Sequence, residues 1–156
     1  MINIMRWFWV IFLSMMPISE LRGAIPLALG SYGMNPYISI PVIVIFNFIP
    51  VPFILLFLQP VEKWLRKWKF WDNMLNKIFE HTRKRTRKSI ERWESVALIL
   101  FVAIPLPVTG AWTGSLAAYL FGLEFKKSLL YIFIGICIAA IIVTTATMAG
   151  IKLLGI

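Results

Sequence analysis

Residues 17–30 read PISELRGAIPLALG, setting Glu20 and Arg22 two positions apart in a stretch otherwise as apolar as a membrane span. Pro17 and Pro26 stand on either side of them. The reading of this stretch decides the fold. A charged side chain near the bilayer centre costs about 2.5–3.5 kcal/mol on insertion scales, and proline has no backbone donor to continue a helix. A straight spanning helix has no use for either, so the chain must break here or supply partners from elsewhere.

The surroundings leave little doubt that a membrane is involved. Of 156 residues, 60% are hydrophobic, and a mean hydropathy of +0.81 lies far above that of soluble domains. Uncharged runs occupy residues 7–19, 23–61, 95–123 and 128–151, and about 20 apolar residues suffice to cross a bilayer. Arg6 and the apolar run to Met16 are not read as a signal peptide, because no small-residue cleavage site follows and apolar character resumes from Ala24 to Ile38. Cys137, the single cysteine, is read as a buried, inert thiol.

A second break governs the other half. The run 95–123 holds 29 uncharged residues, about 43 Å as one helix and too long for one span. It is interrupted midway by IPLPVTGAWTG, residues 104–114, with Pro105, Pro107, Gly110 and Gly114. The limbs on either side reach about halfway across, which predicts a re-entrant hairpin whose irregular tip must be sheltered by protein or face a cavity. The first half repeats this plan.

Each half thus reads as a hairpin followed by a span: hairpin 7–33 and span 37–58 in residues 1–59, hairpin 95–123 and span 128–151 in residues 94–156. An offset of 87 residues superposes Gly23-Ala24 on Gly110-Ala111 and Leu29 on Leu116, each Gly-Ala pair preceded by a proline. A unit with one net crossing is upside down when repeated, so the expected fold class is an all-α integral membrane protein built as an inverted repeat. Such repeats with broken helices mark secondary transporters.

Charge placement orients it. The net charge is +9, and 11 of the 16 lysines and arginines lie in residues 61–93 against four acidic residues. The positive-inside rule puts that segment in the cytoplasm of a multi-pass cell-membrane protein, inner or plasma membrane, rather than on nucleic acid. Trp64, Leu65, Trp68, Trp71, Leu75, Ile78 and Phe79 recur near a helical period there, so residues 60–93 are expected to form a basic amphipathic connector lying on membrane lipids. TRKRTRKS, residues 82–89, reads as a solvated or headgroup-bound run, with His81 solvated beside it. With re-entrant hairpins Lys126 and Lys127 also fall inside and Ile156 outside; with four plain spans those two lysines fall outside and Ile156 inside.

Two uses of the buried charges are open. In one, Glu20 and Arg22 form a local ion pair that pins the tip. In the other, a half-helix starting near Gly23 aims its N–H groups at the tip, Arg22 completes an anion site, and desolvated Glu20 takes and releases a proton as coupling ion. Across from them Thr109, Gly110 and Thr113, with Ser115, offer hydroxyls and free backbone that either bind a headgroup or cap the broken helix ends. Trp112 reads as packing. Asn47, Thr144, Thr145 and Thr147 either line a polar path or hydrogen-bond between helices.

ELRGAIPLALG together with PLPVTGAWTGS resembles the putative small multi-drug export protein family over essentially the whole chain, which implies a membrane exporter. More distantly, the paired hairpins resemble the DedA superfamily, whose members are implicated in proton-coupled movement of lipid phosphates between leaflets. Acidic residues and arginines occur at the hairpins of that superfamily; Glu20 and Arg22 fit these roles, while the second tip carries Thr109 and no arginine.

The function expected first is a transporter or flippase of an amphipathic, anionic, lipid-phosphate-like substrate, coupled to protons. The alternatives are a proton-coupled exporter of cationic drugs and a non-transport membrane scaffold. No enzyme activity is expected, since there is no Cys/His arrangement, carboxylate pair or phosphate-cradling loop, and no cofactor or metal is called for. Substrate-binding roles fall to Glu20, Arg22, Gly23, Thr109, Gly110 and Thr113. A protomer this small shelters two polar tips poorly from lipid, so a homodimer is expected.

Overall fold

The computed structural model describes residues 2–65, 88–106 and 109–154. Among them every regular element is helical: α1 (Ile2–Met15), α2 (Glu20–Pro26), a π-helical turn (Leu27–Ser31), α3 (Pro36–Phe48), α4 (Pro50–Leu65), α5 (Lys88–Ala103), α6 (Ala111–Leu120) and α7 (Phe125–Leu154). Two stretches are long and apolar enough to cross a membrane, Pro36–Leu58 and Phe125–Leu153. Of the expected basic connector 60–93, residues 60–65 continue α4 and 88–93 open α5, while 66–87, with His81 and most of the 82–89 charge run, lie outside the described residues.

Local chemistry accounts for the helix ends. Asn35 caps α3, its side chain accepting the Tyr37 N–H at 2.9 Å, and Pro36 occupies the first helical position, where no donor is needed. Pro50 and Pro52 fall in the first turn of α4 for the same reason, and the Ile49 N–H still donates to Ile45 O at 3.0 Å. The two helices therefore follow one another closely as one apolar rod. After Pro26, which has no N–H to give, the chain widens into the π-helical turn. That turn closes at Gly33, whose φ of +58° is left-handed and lets the Met34 N–H reach Ala28 O at 2.9 Å.

The breaks fall where the prolines and glycines predict them, but several helix bounds differ from those drawn at the edges of uncharged runs. α1 starts at Ile2 rather than Trp7, α5 at Lys88 rather than Ser95, and α7 takes in Lys126, Lys127 and Lys152. A run of uncharged residues shows where lipid is tolerated, whereas hydrogen bonding continues through residues whose long cationic side chains reach out to water. α2 begins at Glu20, three residues before the expected Gly23. Its first N–H groups are already used within the turn, Glu20 N–H on Met16 O at 3.0 Å and Gly23 N–H on Ser19 O at 3.1 Å.

α5 packs along α7 and against α6, while α2 packs on α1 and α7, and α6 on α4. The core of the bundle includes Leu21, Ile25, Ile43, Val51, Leu98, Val102, Ile132 and Ile136. Small residues allow the close approaches that helices need in a membrane. A Cβ at Gly114 would lie 2.5 Å from Val102 Cγ2, and one at Gly135 2.7 Å from Val102 Cβ, so Val102 of α5 sits in a notch shared by α6 and α7.

At one end of the molecule, two pockets share Gly33 and Met34. One is lined also by residues near the start of α1, including Asn3, Arg6 and Trp7; the other by Met148, Ile151 and Lys152 near the end of α7.

Candidate functional site: two interlocked helix breaks

Glu20 is 4% exposed and has a φ of +48°, the one non-glycine residue among those described with positive φ. A left-handed conformation costs an L residue about 1–2 kcal/mol and persists only where the surroundings hold it. Here the strain aims the carboxylate across the molecule. Its Oε2 accepts the Ala111 N–H and its Oε1 the Trp112 N–H, both at 3.3 Å. These N–H groups open α6 and have no partner within their own helix, so a carboxylate from 91 residues away caps it and meets the positive end of its dipole.

Arg22 does the reverse job on the same loop. Its Nη1 donates to Leu106 O, and its Nη2 to Thr109 Oγ1 at 2.9 Å and Ile104 O at 3.4 Å. Ile104 and Leu106 follow the C-terminus of α5, where carbonyls are left over and a cation is favoured. A planar fork reaches several such acceptors at once, which an ammonium cannot. The Thr109 hydroxyl lies 2.9 Å from both of those carbonyls, steadying the loop that Arg22 grips. Trp112 completes the exchange by donating its indole N–H to Met15 O, the last residue of α1, at 3.1 Å.

Glu20 and Arg22 thus do not close an ion pair on each other. Each serves the opposite break, and the two tips hold one another. Gly110 makes this possible: its φ is +149°, and a Cβ there would lie 2.0 Å from Glu20 Oε2 and 2.5 Å from Glu20 Cδ.

Of the residues expected at the site, Glu20, Arg22, Thr109 and Gly110 are brought together. Gly23 lies one turn into α2, its hypothetical Cβ 2.0 Å from Ser19 Oγ, and Thr113 bonds back to Gly110 O at 3.5 Å. Ser115 is fully buried and donates to Ala111 O at 2.6 Å. The hydroxyls of Thr113 and Ser115 therefore serve their own helix. Trp112, read from the sequence as packing, is a hydrogen-bonding member of the interlock; the demand of the broken α1 C-terminus for a donor was the available signal.

Some polar groups are left over. Among the described residues, buried Arg22 Nε, both amide atoms of Asn47 and Thr144 Oγ1 have no hydrogen-bond partner. Thr145 donates within its own helix, lying 3.0 Å from Ile141 O and 2.9 Å from Ile142 O. Interhelical hydrogen bonding does not explain these residues.

Regular structure that is all helical among the described residues, two membrane-length apolar helices among them, and a charged interlock between two helix breaks fit a small membrane protein of the transporter kind. The chain belongs to the putative small multi-drug export protein family, whose model matches residues 20–142, from Glu20 through α6 and most of α7. No curated protein and no solved structure matches the chain.

Proposed function

We propose that the protein is a proton-coupled membrane transporter or flippase of an amphipathic, anionic substrate resembling a lipid phosphate, built as an inverted repeat of re-entrant hairpin plus span, with residues 61–93 on the cytoplasmic face. One observation carries the substrate reading. The Ala111 and Trp112 N–H groups, with Arg22 nearby, make an anion site, and the protein's own Glu20 carboxylate occupies it. When Glu20 takes a proton its hold on those N–H groups weakens, and a substrate anion replaces it. Arg22 Nε, buried and unpartnered among the described residues, is the donor left for a substrate oxygen. One proton entering with one anion keeps the low-dielectric site neutral throughout, which is the electrostatic requirement for crossing.

Three features support the repeat. The 87-residue offset carries α1 onto α5 and the start of α3 onto the start of α7. The Arg22 to Thr109 hydrogen bond joins two positions 87 apart, as expected where a two-fold axis passes between the tips. Residues 3–7, 32–38 and 148–152 gather round the paired pockets at one end. A returning first hairpin produces that gathering, whereas four plain spans would put residues 33 and 34 at the opposite end from residues 3–7.

The test is transport of a fluorescent anionic lipid analogue in reconstituted vesicles. Glu20→Gln is expected to slow it at least tenfold and to abolish its response to a pH gradient, in protein that still folds. Unchanged transport and unchanged pH response would refute the reading. The family description, small multi-drug export, favours a second reading; with cationic drugs exchanged for protons at Glu20, that reading requires Glu20→Gln to abolish drug export while Arg22 variants retain it.

We propose further that the protein works as a homodimer, the second copy covering part of the apolar surface that includes Phe8 and Phe12 of α1 and Phe53 and Phe57 of α4, all more than 40% exposed. Light scattering of protein in mild detergent is expected to give twice the chain mass; a monomer with full transport activity would rule the dimer out.

A further inference from the structure

The paired pockets at the α1 and α7 ends are distinct from the interlock. On the topology proposed above, only three of the 16 lysines and arginines lie away from the cytoplasmic side: Arg6, Arg22 and Lys152. Arg22 is used at the helix breaks. The other two both line this pair of pockets, one in each, although nothing in the sequence places them near each other. The positive-inside rule makes cations unfavoured at this end, so their convergence calls for a local cause.

The linings differ in chemistry. The first pocket, of about 260 Å³, is polar: Asn3, Arg6, Trp7, Tyr32 and Asn35 contribute to it. Arg6 is held over the Tyr32 ring, 5.6 Å from its centroid, which fixes the guanidinium while leaving its N–H fork for an anion. The Asn35 carbonyl is occupied by the α3 cap, so its amide N–H groups are what it offers the pocket. The second pocket, of about 270 Å³, is mostly apolar, with Leu29, Met148 and Ile151, and Lys152 as its cation. Neither Arg6 nor Lys152 has an acidic partner among the described residues.

We propose that the two pockets together hold one anionic phospholipid, its phosphate on Arg6 and the asparagine amides, the start of an acyl chain against Leu29, Met148 and Ile151, and Lys152 supplying the second positive charge. A soluble phosphate would satisfy the cations but leave the apolar pocket unused, and a zwitterionic lipid carries its own cation into a site already holding two. The placement rests on the topology proposed above and makes this the surface at which an anionic amphipath joins or leaves the protein.

Native mass spectrometry of protein exchanged into mixed micelles provides the test. Wild type is expected to retain phosphatidylglycerol at least tenfold better than phosphatidylcholine, and Arg6→Gln/Lys152→Gln to lose that preference while melting at an unchanged temperature. Equal retention of the two lipids by wild type, or an undiminished preference in the double variant, would overturn the assignment. So would displacement of the lipid by glycerol phosphate at equal concentration, which would show that the acyl chain contributes nothing. Glu20 lies outside both pockets, so Glu20→Gln is expected to retain phosphatidylglycerol fully. Failure of the transport reading therefore shows in the Glu20 variant, and failure of the lipid site in the Arg6/Lys152 variant.

Discussion

Replacing Gly110 with alanine is expected to be among the most damaging single-methyl changes in the chain, lowering stability by about 3 kcal/mol or more. The added Cβ would stand 2.0 Å from Glu20 Oε2 and 2.6 Å from Oε1. A carboxylate at the end of a flexible side chain can usually move aside, but this one is held in place by two N–H groups that have no other partner. Moving it leaves those groups unsatisfied beside the buried Ala111 and Glu20 side chains, at about 1–3 kcal/mol each. The φ of +149° adds strain for any L side chain. Gly150→Ala is the matched control: a Cβ there meets nothing within 4 Å, and in the interior of α7 the exchange should stabilise by about 0.5–1 kcal/mol. Thermal melting in one detergent compares the two, and a Gly110→Ala protein as stable as wild type would mean that Glu20 does not cap α6.

The second large effect is expected at Arg22, where shape should matter more than charge. Lysine keeps the charge but cannot reach Leu106 O, Ile104 O and Thr109 Oγ1 together, so Arg22→Lys should lose about 1–3 kcal/mol. Arg22→Met removes the charge as well and strands Glu20 as a buried anion without nearby compensation, a loss of about 3–5 kcal/mol. The two charges serve one interlock, so Glu20→Gln and Arg22→Met should be non-additive. The double variant is expected to be more stable than the sum of the single losses predicts, by about 1–3 kcal/mol. Denaturant unfolding of the four proteins closes the cycle. Additive losses would show that the two tips are held independently, contrary to the geometry.

Much of this architecture is legible in composition and spacing. The expected spans 37–58 and 128–151 lie within Pro36–Leu58 and Phe125–Leu153, because an uncharged run of that length has few other stable environments. The two breaks are equally visible, since proline and glycine act on the backbone locally. The start of α2 was not legible. Expecting it near Gly23 follows the residue with conformational freedom, but the chain instead places Glu20 at φ +48° and starts the helix there. The opposite helix break, by offering two N–H groups to that carboxylate, offsets such a conformation. The hydrogen bond that Trp112 adds to its packing role was out of view for a related reason, its partner lying 97 residues away.

The sequence by itself determined that this chain enters a membrane, where its helices break, and that two opposite charges must be sheltered near one break. Those are consequences of solvation and backbone covalency, which each residue carries with it. The tertiary structure decided where the charges go. Residues two apart suggest a local pair, yet Glu20 and Arg22 each satisfy the other helix break. A broken helix end presents either donors or acceptors, and the donors of α6 and the acceptors beyond α5 come within reach of one short loop only when the two halves of the chain are packed together.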